Sequence, residues 1–144
     1  MKRRTLRGQV IEGNVKRLIV DDGRLTRGYR VTKFVIAGDP SSSANDAYGT
    51  LALDYDSPRA WDWGDNRQIA WASTNIQATA GSQPFFELVD PNHVVLQDLY
   101  IQAQVGSGTG ASVCNYLIVL EPMELTNDEA ILTLIKERSQ DDPR

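Results

Sequence analysis

Gly28-Tyr29-Arg30-Val31-Thr32-Lys33-Phe34-Val35-Ile36-Ala37 is the stretch that decides the class of fold. It is rich in β-branched and aromatic residues and alternates with a period of two. That pattern predicts a strand with Tyr29, Val31, Lys33 and Val35 on one face and Arg30, Thr32, Phe34 and Ile36 on the other. Toward the N-terminus, Thr5 to Ile11 reads as a strand ending at the turn Glu12-Gly13-Asn14, and Val15 to Val20 runs into the breaker Asp21-Asp22-Gly23. Toward the C-terminus, the polar loop Gly38 to Asp46 precedes strands at Tyr48 to Tyr55 and Arg67 to Thr74, with the loop Asp56 to Asn66 between them. A Gln/Ala/Thr/Gly/Ser-rich stretch, Asn75 to Gln83, leads to Phe85 to Val89 and then Val94 to Gln104. The link Gly106-Ser107-Gly108-Thr109-Gly110 leads to Cys114 to Glu121, with Pro122 marking its end. About eight short strands at this spacing predict one all-β domain over 1–144, a β-sandwich or jelly roll.

One helix is expected to close the chain, over 126–138. Thr126-Asn127-Asp128-Glu129 is a capping box, in which the Thr126 hydroxyl accepts the Glu129 amide and the Glu129 carboxylate reaches back. Acids in the first turn and Lys136 and Arg138 in the last suit the helix dipole. Ile131, Leu134 and Ile135 form an i, i+3, i+4 stripe, a candidate contact face. Residues 139–144 read as a tail and 1–4 as a basic arm.

The 144 residues are 41% hydrophobic and 24% charged, ordinary for a globular protein. Charge is divided unevenly. Met1 to Ile36 carries ten Lys or Arg against three acids, whereas Ala37 to Arg144 carries five against sixteen. No apolar run approaches the roughly 20 residues that span a bilayer, and the basic start is followed by no apolar signal region. Synthesis and folding in a cytoplasm, without membrane attachment, are therefore expected.

The residues that carry chemistry are few. His93 follows the turn opener Asp90-Pro91-Asn92 and is expected to cap that turn. Cys114 is the lone cysteine, set in an apolar run, and reads as a buried small hydrophobe. One His and one Cys cannot build a Cys/His zinc site within the chain. There is no nucleophile elbow, phosphate-binding P-loop or Rossmann glycine pattern. The expectation is a protein that is not an enzyme and uses no cofactor or metal.

Two clusters invite a functional reading. In Asp54-Tyr55-Asp56-Ser57-Pro58-Arg59-Ala60-Trp61-Asp62-Trp63-Gly64-Asp65-Asn66, the spacing of Asp54, Asp56, Asp62 and Asp65 echoes an EF-hand loop, but Arg59 and Pro58 replace its glycine turn. Trp61 and Trp63, flanking Asp62, could instead supply a stacking face for a sugar or a partner, and paired carboxylates could serve a glycosidase. The plainest alternative is a loop whose tryptophans fold back over the sandwich edge while Asp and Asn make turns. In the basic head, Lys2, Arg3, Arg4 and Arg7 could meet phosphates, yet no nucleic-acid-reading motif accompanies them. Sequence-specific nucleic-acid binding is not expected. A basic face docking on an acidic face of another copy is the favoured reading, and simple pairing with acids in the same subunit is its alternative.

Several segments together resemble a group of small proteins of marine bacteriophages and viral metagenomes. They are Val15-Lys16-Arg17-Leu18-Ile19-Val20-Asp21-Asp22-Gly23 with Gly28-Tyr29-Arg30-Val31, Asp65-Asn66-Arg67-Gln68-Ile69-Ala70-Trp71, Val89-Asp90-Pro91-Asn92-His93-Val94-Val95, and Asn115-Tyr116-Leu117-Ile118-Val119-Leu120-Glu121-Pro122 leading into Leu125-Thr126-Asn127-Asp128-Glu129-Ala130-Ile131. None is a catalytic motif. The resemblance implies a virion structural component of minor capsid, decoration or vertex type, assembled with copies of itself or with a major capsid protein. A carbohydrate- or host-surface-binding β-module of a phage tail is the alternative expectation.

Overall fold

The computed structural model describes residues 2–21, 23, 26–39, 45–55, 60–76, 85–106 and 113–138. Parts of the expected loops and links at 40–44, 56–59, 77–84 and 107–112, Asp22 of the breaker, and the 139–144 tail lie outside the described residues. Among the described residues, eight strands precede one helix: β1 (Arg4–Ile11), β2 (Val15–Ile19), β3 (Arg27–Asp39), β4 (Asn45–Ala52), β5 (Gln68–Ile76), β6 (Phe85–Val89), β7 (Asp98–Gly106), β8 (Val113–Glu124) and α1 (Asn127–Arg138). They form a three-stranded sheet of order β1-β8-β3 and a five-stranded sheet of order β2-β7-β4-β5-β6, every pair antiparallel. The β-sandwich-like domain with a C-terminal helix is as the periodicity predicted.

The core lies between the sheets. Val10, Phe34, Ile36, Ile118 and Leu120 of the small sheet meet Leu51, Ala70, Ala72, Leu99, Ile101 and Ala103 of the large one. Alternation supplies both faces, since residues two apart along a strand point the same way. Turns join strands where sequence chemistry allows them. Gly13 takes φ 81° between β1 and β2, a conformation that costs glycine no Cβ clash.

Three expectations need correction. The alternation of β3 is not continuous. Its register against β8 shifts between Val31 and Lys33, so Tyr29 and Val31 are buried before the shift and Phe34 and Ile36 after it, while Thr32 and Lys33 both face solvent. A β-bulge adds one residue and exchanges the faces, which lets both halves of a long strand serve the same core. Second, Pro122 does not end β8 but pairs with Tyr29 within it. The Tyr29 amide and carbonyl are both bonded to Val95, so they point away from β8, and the pair with Pro122 carries no ladder bond. The nitrogen of Pro122 therefore faces the side where β1 has already stopped, its last partner there being Leu120, and no donor is missed. Third, β7 begins at Asp98, because Val95 is engaged by Tyr29 and Gln97 receives the Val20 and Asp21 amides. Likewise β4 starts earlier and ends at Ala52, after which the Leu53 amide turns to the Arg67 carbonyl.

The helix begins as its capping box predicts. The Glu129 amide donates to Thr126 Oγ1 at 3.1 Å, and the Thr126 hydroxyl meets the Glu129 carboxylate at 3.1 Å. Among the described residues, no helix is long and apolar enough to cross a membrane.

Candidate functional site

Alternation along the five-stranded sheet sends Tyr48, Trp71, Phe86 and Leu88 to the face opposite the core. Residues 60–67, which lead into β5, fold back over that face. Asp62 Oδ1 accepts the Gly64 amide at 3.0 Å, a turn of the Asx type, and the Asp65 amide closes on the Asp62 carbonyl. The buried Gln68 side chain ties both ends: its Oε1 accepts the Asp62 amide and Trp71 Nε1, each at 2.9 Å, while its Nε2 donates to the Ala60 carbonyl. The Asp65 carboxylate, 1% exposed, accepts the Arg67 amide, Nε and Nη2 at 2.8 to 2.9 Å. A buried carboxylate held by a two-pronged guanidinium fixes the turn in one geometry.

The turn delivers the tryptophans to different ends. Trp61 Nε1 donates to the Gly49 carbonyl at 3.1 Å, and its ring stacks on Phe86 with centroids 5.5 Å apart and meets Tyr48 edge-on at 6.2 Å. Trp63 lies edge-on to Trp71 at 6.2 Å and stays 64% exposed. So the fold-back anticipated for these residues is what the structure shows for Trp61, while Trp63 presents most of its ring to solvent. Beside Tyr48 and Phe86 opens a groove of about 380 Å³, with Asp46, Ser73 and Asn75 as its polar rim and Phe85 as a further apolar wall. Aromatic faces beside a few polar groups are the usual make-up of a small-ligand or glycan cleft. Tyr48, Phe86, Trp71 and Gln68 escaped the sequence reading. The only signal for them was strand parity, which places Trp71 and Tyr48 on the solvent side without revealing that Trp61 and Trp63 cover them.

The acids of this region are committed elsewhere. Asp65 is bound by Arg67, and Asp54 lies 4.0 Å from the same guanidinium. Asp56, Pro58 and Arg59 of the EF-hand echo lie outside the described residues. Among the described residues, no group of three His, Cys, Asp or Glu stands where it could hold a metal. His93 Nε2 sits 3.2 Å from Asp90 Oδ2, and Asp90 Oδ1 accepts the Asn92 amide, so the histidine caps its turn as expected. Cys114 is buried, and that burial pushes its thiol up to about 12.

The basic head is partly spent within the chain. Lys2 and Arg3 are exposed ahead of β1, and Arg7 is exposed on it. Arg4, however, belongs to β1. Its guanidinium crosses to the other sheet to donate to the Val20 carbonyl at 3.0 Å and lies 5.7 Å from the Tyr29 ring. Lys16 crosses in the opposite direction, to the Gln9 carbonyl and the face of Tyr116. Arg17 pairs with Asp98 at 3.0 Å, and that hydrogen bond and charge raise its pKa. These bases thus divide among two inter-sheet clamps, Arg4 and Lys16, an ion pair within the five-stranded sheet, Arg17 with Asp98, and the exposed Lys2, Arg3 and Arg7.

Among the described side chains of α1, Ala130 is the buried one. Ile131, Leu132 and Ile135 are 50, 54 and 56% exposed, so Ile131 and Ile135 of the predicted stripe do not enter the core of their own chain. The side chain of Leu134 lies outside the described residues. No protein-family model matches the chain, and no curated protein matches it.

Proposed function

We propose that this chain is a structural protein of a bacteriophage virion, a jelly-roll subunit in a minor capsid, decoration or vertex position. The observation that carries the reading is the strand order. A jelly roll groups its first, eighth, third and sixth strands in one sheet and its second, seventh, fourth and fifth in the other. The orders β1-β8-β3 and β2-β7-β4-β5 follow that scheme, with β6 attached to β5 in place of β3. Jelly rolls are a recurrent architecture of viral capsid and lectin domains. The resemblance of the chain to marine phage proteins selects the virion from that set. In this role the protein acts by symmetric contact with copies of itself or with a major capsid protein, not as an enzyme, and needs no cofactor, membrane or specific nucleic-acid sequence. The exposed Ile131, Leu132 and Ile135 on α1 and the exposed Lys2, Arg3 and Arg7 supply contact elements of the two required kinds, apolar and charged.

Light scattering on the purified protein at low and high salt tests the reading, together with electron microscopy of particles. Salt-dependent assembly or a fixed position in a particle supports it. A monomer indifferent to salt and concentration, which never accompanies particles, argues decisively against it.

A second reading, a glycan- or host-surface-binding module of a tail, draws on one specific observation: the Tyr48, Trp61 and Phe86 rings beside the polar rim of the groove. Under it, replacing Trp61 and Trp63 together by Ala abolishes glycan or cell-surface binding while the β circular-dichroism spectrum persists. Binding that survives the double replacement removes the platform.

A further inference from the structure

Each edge strand of a sheet leaves a row of backbone donors and acceptors open to pairing, and proteins usually block such rows. Here β3 is blocked. Its Tyr29 bonds Val95, the Phe34 amide released at the bulge donates to Glu87 Oε1 at 3.1 Å, and the Ile36 carbonyl accepts Thr74 Oγ1. The β2 edge carries Lys16 and Arg17, and Arg4 donates to the carbonyls at its end. The β1 edge carries Arg4 and Arg7.

Among the described residues, neither device guards the edge at β6. The Asp90 amide bonds the Ile69 carbonyl, so Leu88 and Phe86, two and four residues back, also direct their backbone groups at β5. Phe85, Glu87 and Val89 then direct theirs outward. No backbone hydrogen bond of these three to a described residue outside the β5 ladder exists. Four consecutive residues, Phe85 to Leu88, are exposed, with Phe85, Phe86 and Leu88 at 54, 43 and 43%. The one charge, Glu87, is drawn across to Phe34.

We propose that β6 is a pairing edge and that its occupant is β6 of a second copy, running antiparallel to continue the five-stranded sheet across a two-fold axis. Two arguments select a second copy. An antiparallel edge is complementary to itself, because its outward donors and acceptors alternate in the same order when rotated. The basic β1 and β2 edges repel their own kind, which leaves β6 as the edge that can meet itself. An axis at Phe86 sets the two Phe86 rings across from each other and places each Glu87 opposite Phe85 of the other copy. That register keeps the carboxylates from facing directly and gives an aromatic cross-strand pair. It also extends the aromatic face on both sides of the axis. The inference deepens the assembly reading and rests on it.

Residue-resolved amide exchange in a dilution series provides the test, with sedimentation of wild type, Phe85→Pro and Leu88→Lys. Proline at position 85 removes an outward amide and leaves the β5 ladder intact, and lysine at 88 places a charge on the open edge. The amides of Phe85 and Glu87 should exchange fast when dilute and slow about tenfold or more on association. Both variants should keep their fold and weaken association about tenfold or more, equivalent to losing one or two backbone bonds. Three outcomes overturn the proposal. If the wild type associates with β6 amides unprotected and both variants associate normally, the edge is wrong and the assembly reading stands. Protection that appears only with particles or another protein makes the occupant something other than a second copy. A wild type that is monomeric at every concentration and never joins particles defeats the assembly reading, and this proposal with it.

Discussion

At one flank of the sandwich, where β1 of the small sheet runs beside β2 of the large one, bases close the gap: Arg4 reaches the Val20 carbonyl and Lys16 the Gln9 carbonyl. At the other flank an acid and a hydroxyl do the closing, and only in one direction. Glu87 and Thr74 satisfy β3, while β6, the strand that contributes Glu87, is exposed and apolar and meets no described residue along its outer side. The difference shows that edge protection here is not a general coating of charge. A long side chain on one sheet finds a specific backbone group on the other, and where no such partner faces a strand, its edge remains available. Snorkelling stems allow the bases to do this without burying their charge.

Four changes would break or sharpen this comparison. Phe34→Ala strikes the hinge of the second flank, since the residue is fully buried beside the bulge. It should lower unfolding free energy by about 3–5 kcal/mol in urea titration. Glu87→Ala leaves the Phe34 amide without its acceptor and should cost about 1–3 kcal/mol, with faster exchange of the Phe34 amide ahead of the rest of β3. Glu87→Gln, which keeps the acceptor oxygen, should recover most of that loss. At the basic flank, Arg4→Ala should cost about 1 kcal/mol, because its carbonyl bonds are partly open to water. A loss larger than that of Glu87→Ala would reverse the ranking of the two flanks.

The smallest effect is expected at Cys114, in the strand that separates the two edges of the small sheet. Its thiol titrates near 12 in place of its ordinary 9.0 because burial disfavours the thiolate. The fold therefore favours the neutral form. This contribution is fully present below pH 9, and fades as pH rises from 9 toward 12. Near pH 8 the native protein should resist alkylation at a rate set by global opening, and stability should decline only on the alkaline side. Rapid native-state labelling at pH 8 would show that β8 opens locally.

Much of this was readable in advance. The strands, the Gly13 turn, the capping box at Thr126, the Asp90–His93 turn and the burial of Cys114 each follow from residues close in sequence, where turn chemistry and periodicity act directly. The bulge at Thr32 was not readable, because an unbroken alternation of side chains carries no mark of an extra residue. Pro122 is a related case: whether a missing amide matters depends on which neighbour stands beside it, and β1 does not reach that far. The groove joins Tyr48 of β4 to Phe85 and Phe86 of β6, with Trp61 stacked on Phe86 at its side, so only the neighbouring tryptophan stood out as a motif.

Local periodicity and turn residues alone determined that this chain makes eight short strands and a capped helix with an uneven charge distribution. Those features arise from interactions within a few residues. Tertiary structure alone decided the strand order, which bases became clamps, which tryptophan was covered, and which edge stayed open. Each of these depends on the distance between groups far apart in the chain, and that distance exists only once the two sheets have packed.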